Sequence, residues 1–96
     1  MPSSEISNFF YVYVLRSLTR NTMYKGYTNN LKRRLVEHNK GMVTSTKPYL
    51  PWKLIYYEAY LDEHMARIRE KKLKSFGSAF GHLLKRLDMG NKKKEG

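Results

Sequence analysis

Seven consecutive residues, Phe9-Phe10-Tyr11-Val12-Tyr13-Val14-Leu15, carry no charged side chain and are all aromatic, β-branched or aliphatic. Such residues fit a β-strand. Apolar and polar positions do not alternate along the run, so neither face is written for water, and the segment reads as a central strand covered on both sides. That condition is severe for a chain of 96 residues. The rest of the sequence must supply neighbours for the strand and a layer for each face of one small sheet, within a single domain.

The elements that follow meet the condition. Thr19-Arg20-Asn21 is turn-like and Met23 to Thr28 reads as a second strand, giving a hairpin. By strand parity Tyr11, Tyr13 and Leu15 share a face, and Tyr24 shares one with Gly26. Asn30 is placed as the N-cap of a helix from about Leu31 to Lys40, with Gly41 as its stop. On that helix Leu31, Arg34, Leu35 and His38 fall at i, i+3, i+4 and i+7, so Arg34 and His38 ride with the apolar stripe toward the sheet. Met42 to Pro51 is a polar loop with no element of its own. Trp52 to Tyr60 is a third strand. Asp62 caps a second helix, Glu63 to about Phe76, whose apolar face runs through Met65, Ala66, Leu73 and Phe76 with Glu70 on its rim. Gly77-Ser78 breaks that helix, and Phe80, Leu83, Leu84 and Leu87 mark a third. The expected domain is 9–88, between a flexible N-terminus at 1–8 and a disordered basic tail at 89–96. The order is β-β-α-β-α-α.

Lys and Arg number 19 against 8 Asp and Glu, a formal charge of +11, which draws polyanions and above all nucleic acid. The absence of cysteine excludes disulfides and thiolate metal sites. Residues 1–8 lack the character of a secretory signal and no apolar run approaches a bilayer span, so the expectation is a cytoplasmic protein with no membrane partner.

The sequence thus gathers Tyr13, Tyr24, Gly26, Arg34 and His38 from three elements in fixed order, with Tyr24 eleven positions after Tyr13 and Glu70 on a later helix. This pattern resembles the GIY-YIG nuclease superfamily, most of all its small, stand-alone UvrC-like bacterial proteins, over roughly residues 9 to 87. Tyr11-Val12-Tyr13 stands where the family has Gly-Ile-Tyr, Tyr24-Lys25-Gly26 where it has Tyr-Ile-Gly, and the asparagine some members carry late in the domain has no counterpart. The resemblance implies an α/β (α+β) domain with a three-stranded antiparallel sheet flanked by helices. It implies a catalytic set of Tyr13, Tyr24, Arg34, His38 and Glu70, with Gly26 as the motif glycine. Tyr13 would be the general base, Arg34 the phosphate clamp, and Glu70 the ligand of one Mg²⁺ or Mn²⁺ completed by water and phosphate oxygens.

The expected activity is hydrolysis of DNA phosphodiester bonds, selecting structure rather than sequence, in repair or recombination, by a monomer. RNA is the second possible substrate. Lys25, Lys32, Arg33, Arg67, Arg69, Lys71, Lys72 and Lys74 are the candidate phosphate contacts, and Tyr49 and Trp52 candidate base-stacking aromatics. The alternative function is a nucleic-acid-binding module of the same fold without useful catalysis. Each residue has a structural rival role. The tyrosines and Trp52 can be packing aromatics, Arg34 a snorkelling side chain, His38 a helix-end residue, and Glu70 a helical partner of Lys74. Glu58 is a competing carboxylate that strand parity leaves open.

Overall fold

The apolar run does become the middle of the molecule. In a computed structural model, which describes residues 8–75 and 77–87, strand β1 (Phe10–Ser17) lies between β2 (Met23–Thr28) and β3 (Trp52–Tyr60) in the order β2-β1-β3. Both pairings are antiparallel. Three helices complete the chain: α1 (Leu31–Asn39), α2 (Glu63–Ser75) and α3 (Gly77–Arg86). The expectations for residues 1–7, for Phe76 and for the basic tail lie outside the described residues. No helix among the described residues is long and apolar enough to cross a membrane.

Parity along β1 divides the core in two. Val12 and Val14 point to one face and are fully buried against Ala66 and Leu73 of α2 and Leu83 of α3. Tyr13 and Leu15 point to the other face and are buried with Trp52, under Leu31 and Leu35 of α1 and Leu50 of the loop. A central strand with a layer on each side is the arrangement its unbroken apolar character demanded.

Several boundaries differ from the expectation, each for a local reason. β1 continues past Leu15 because Ser17 pairs with Trp52, and Ser17 Oγ accepts from the backbone N–H groups of Thr19 and Arg20 to shape the turn. The loop contains a short 3₁₀ turn, Lys47–Tyr49, and Trp52 fastens its far end to α1 through paired bonds with the Asn39 amide, at 2.6 and 3.0 Å. α1 begins at the Asn30 cap, whose side chain accepts from Arg33 N–H. It stops where Gly41 takes φ +75°, a left-handed conformation that glycine tolerates. Met65 is half exposed and not part of the buried face of α2. Gly77 is the first residue of α3 rather than part of a break before it.

Candidate active site

Tyr13 organises the α1 face. In the β1–β2 register its cross-strand partner is Gly26, and in the β1–β3 register it is Tyr57. The phenol leans over Gly26 into the space a side chain would fill: a Cβ there would lie 2.7 Å from Tyr13 Oη and 2.9 Å from Tyr24 Cε2. Gly26 is thus required by close approach, as its place in the pattern suggested.

His38 is completely buried and meets Tyr13 from above, with Nε2 2.9 Å from the phenol oxygen. Its other ring nitrogen, Nδ1, lies 2.8 Å from Thr46 Oγ1 in the loop. Thr46 Oγ1 in turn donates to the Val43 carbonyl over a long 3.4 Å, leaving its lone pair to accept from Nδ1–H. The tautomer assigned from this chain protonates Nδ1 and leaves Nε2 as the acceptor for the Tyr13 hydroxyl. The Tyr24 ring closes the group, 4.9 Å from the imidazole and 6.2 Å from the Tyr13 ring between centroids.

Both ends of the Tyr13–His38 bond are held neutral. Burial pushes the Tyr13 phenol up to about 12; the Arg34 guanidinium draws it down, while the nearby Tyr24 and Glu70 add to the rise. Burial, with Arg34 adding to it, holds His38 down at about 4 against the opposing pull of Glu37. Arg34 is anchored by Glu37 through a 2.9 Å ion pair and remains about one-third exposed.

Glu70 approaches from the opposite layer. α2 packs on the Val12–Val14 face, but β2 is an edge strand and the Glu70–Lys74 turn reaches round it. Lys74 Nζ lies 2.9 Å from Glu70 Oε2 and 5.8 Å from the Tyr24 ring centroid, tying the carboxylate to the tyrosine side. The structural rival reading of Glu70, a partner for Lys74, is therefore realised, and its charge is near enough to be felt at the Tyr13 phenol. Glu70 offers one partly exposed carboxylate, and among the described residues no three His, Asp or Glu side chains group as metal ligands. That donor set fits one hard divalent ion whose remaining positions are filled by water and phosphate oxygens.

Glu58 is separated from this site. It pairs with Val12, so it lies on the other face, where Arg69 holds it with bonds of 3.0 to 3.2 Å and the Tyr56 and Tyr60 hydroxyls each donate at 2.6 Å. Burial works to raise its carboxyl, but these hydrogen bonds outweigh burial and hold it below the usual range. Arg69, expected among the phosphate contacts, is instead the counter-ion of a partly buried carboxylate.

The other cations spread over the surface. Lys25 stacks on Phe80 with its Nζ 4.1 Å from the ring centroid, and burial and Lys74 lower its pKa. Arg33 pairs with Glu37, and Arg67 with Glu63. Lys32, Lys71 and Lys72 are exposed and pair with no carboxylate among the described residues. A cleft of about 270 Å³ at the end of β2 is bordered by Arg33, Arg34, Tyr27 and Glu63. His64 and His82 are exposed. Trp52 is a core residue, 5% exposed, with its indole N–H donated to the Thr46 carbonyl, and Tyr49 packs edge-on against it. Trp52 is thus not free to stack on a base, while Tyr49 is only partly covered.

Thr46 is the site residue that sequence reasoning passed over. It is a threonine in a polar loop, and long-range bonds such as the Asn39–Trp52 clasp and the Trp52 indole to its carbonyl hold it at the imidazole.

Comparison with known proteins agrees with this geometry. The family model described as the GIY-YIG catalytic domain matches residues 9–82. A UPF0213 protein of Pediococcus pentosaceus is 46% identical over 68 residues, 70% of either chain. A UPF0213 protein of Streptococcus pyogenes is 40% identical over 65 residues, 67% of this chain and 70% of its own. Another, from Natronomonas pharaonis, is 39% identical over 70 residues, 72% of this chain and 81% of its own. No solved structure matches.

Proposed function

The chain belongs to the GIY-YIG catalytic domain family, and on that premise we propose that it is a metal-dependent endonuclease hydrolysing DNA phosphodiester bonds, selecting structure rather than sequence, in DNA repair or recombination. The family is one of nucleases that generally depend on a divalent metal. The observation that carries the reading is the buried Tyr13–His38–Thr46 chain laid across a glycine, with Arg34 at its side. A buried packing tyrosine needs an acceptor for its hydroxyl, but it needs neither a fixed imidazole tautomer nor a cation at the same place.

The chemistry follows from the charges. Hydrolysis joins a water oxygen to phosphorus and breaks the bond to the 3′ oxygen. As the water attacks, its proton passes to Tyr13 Oη while the phenol proton passes to His38 Nε2. The 3′ oxygen departs from the opposite side of phosphorus and takes its proton from solvent. His38 returns its proton to Tyr13, and the proton gained from the attacking water passes to solvent. In the free protein this relay is idle, because the phenol holds its proton and the imidazole is too weak a base. An arriving phosphate changes that. Its negative charge engages Arg34 and offsets that part of the suppression of His38 that the guanidinium adds to burial, the larger cause. The imidazole thereby gains basicity when a phosphate is bound. Glu70 would hold the divalent ion, which when bound supplies charge stabilisation to the phosphate and the leaving oxygen.

Binding by this small basic domain would come from phosphate contacts, with Lys32, Lys71 and Lys72 the cations left open for them, and would weaken steeply with salt. One observation favours the second reading, a binding module without catalysis: the Glu70 carboxylate is already neutralised by Lys74. Cleavage of branched, nicked and single-stranded DNA with Mg²⁺ or Mn²⁺, comparing wild type with Tyr13→Phe, Arg34→Ala and Glu70→Ala, separates the two. Loss of nicking in all three variants supports the nuclease. Equal nicking by all four proteins, or binding without cleavage by wild type, removes it.

A further inference from the structure

On the α1 face, next to Tyr13 but outside its hydrogen-bond chain, lies a hollow of about 490 Å³. Its walls are Tyr11 and Tyr57, and Leu31, Leu35 and Leu54 also line it. Asn29, Asn30 and Lys32 line it from the start of α1. The two tyrosines stack edge to face with centroids 5.9 Å apart and an interplanar angle of 68°. Tyr57 is 53% exposed, so an aromatic face stays open beside a sheet face whose other side chains pack under α1. Its position is not arbitrary, because it is the residue directly across from Tyr13 on β3, while Tyr11 is two residues before Tyr13 on the same face of β1.

We infer that this hollow receives an unpaired nucleobase of the strand whose phosphate lies at Tyr13, an inference that rests on the nuclease reading above. The volume is in the range of small-molecule sites and ample for one heterocycle. Tyr57 and Tyr11 supply the aromatic surface on which a base stacks, and the leucines exclude water around it. The amides supply an edge contact. Asn30 Oδ1 already accepts from the Arg33 backbone, and Asn29 Oδ1 from the Arg33 guanidinium. Their NH₂ groups, which donate to nothing among the described residues, are left to meet the ring nitrogens and carbonyls of a base. Charge selects a nucleotide over an apolar peptide side chain: the first turn of α1 holds no acidic residue, and Lys32 and Arg33 stand there instead. A base inside a duplex is stacked and cannot enter, so the hollow gives preference for single-stranded, flapped or gapped DNA at the cut.

The test uses the full chain and an oligonucleotide carrying one 2-aminopurine, single-stranded or within a duplex, in Ca²⁺ so that it is not cut. Single-strand binding should quench the fluorescence. Tyr57→Ala should abolish the quench and weaken single-strand affinity roughly tenfold while changing duplex affinity less than twofold. Tyr57→Trp should restore both signals, and thermal melting should show each variant folded. The inference is overturned if Tyr57→Ala weakens both forms equally or neither, or if sedimentation shows Tyr57-dependent self-association without oligonucleotide, which would assign the hollow to a second copy. Duplex nicking that persists in wild type while Tyr57 has no effect overturns this inference alone. Absence of any nucleic-acid binding overturns it together with the nuclease reading.

Discussion

Gly26 stands directly opposite Tyr13 across the β1–β2 pair, and the phenol of Tyr13 occupies the volume that any side chain at Gly26 would need. The glycine is thus less a flexible hinge than a missing wall. It lets a bulky ring lie flat enough to put its hydroxyl 2.9 Å from His38, and a strand that would gain from a larger residue forgoes it.

Gly26→Ala should therefore act through Tyr13. With the ring 1% exposed and unable to swing clear, a methyl 2.7 Å from its oxygen forces a shift of the hydroxyl. We expect a stability loss of about 1–3 kcal/mol and a loss of cleavage on the order of 100-fold from misplacement, with nucleic-acid affinity retained. Denaturant melts and single-turnover cleavage check this; an alanine variant with wild-type rate would show that the close approach is incidental.

Thr46→Val removes the acceptor for His38 Nδ1–H at nearly constant volume. The stranded N–H should cost about 1–3 kcal/mol, and the imidazole ¹⁵N shifts should report a loss of the Nδ1–H tautomer. Cleavage should fall roughly 10- to 100-fold, the scale of a supporting hydrogen bond, and Thr46→Ser should recover it. Unchanged ¹⁵N shifts in the valine variant would remove Thr46 from the relay.

His38 also makes stability depend on acid. Its pKa is about 4 folded against 6.5 unfolded, so below pH 6.5 the unfolded chain takes up a proton that the folded chain refuses. Its contribution is whole above pH 6.5 and drains away as the pH falls toward 4, reaching on the order of 3 kcal/mol at about 1.4 kcal/mol per unit. In His38→Gln this acid-side loss should vanish. An imidazole signal of His38 titrating above pH 6.5 would contradict the assignment.

Glu70→Gln should divide chemistry from folding. The Glu70–Lys74 pair is partly exposed and should be worth no more than about 0.5 kcal/mol. Mn²⁺-induced broadening of amide signals around Glu70 should disappear, and metal-stimulated cleavage should drop roughly 100-fold or more. Full metal-dependent activity in the variant would move the ion elsewhere.

Arg69→Met should do the reverse. It leaves the Glu58 carboxylate with two tyrosine donors and no counter-ion in a partly buried site, at a cost of about 1–3 kcal/mol. DNA affinity should stay within twofold of wild type, because the guanidinium faces Glu58 and not the substrate. A marked fall in the salt slope of DNA binding would return Arg69 to the phosphate contacts.

The sequence was most legible where one element carried its own signal. Helical spacing alone turned Leu31, Leu35 and His38 to the sheet, and the lack of alternation in β1 foretold its double covering. Facts that depend on pairing were closed to it. Parity could not tell on which face Glu58 lay until its opposition to Val12 was known, and it could not show that the space beside Gly26 was Tyr13's. Arg69 and Lys72 look alike as a run of charge, yet one has a partly buried counter-ion across the fold and the other has none among the described residues. Glu70 stood beside the tyrosines on the strength of resemblance only, since its route passes round the edge of β2.

That route ties the site to both layers of the fold. Tyr13 and His38 belong to one layer and Glu70 to the other, on the helix that packs against β1 and β2. On the nuclease reading proposed above, a chain whose α2–α3 layer had lifted would lose the carboxylate from the site, and metal-dependent cutting would wait for the second layer to close.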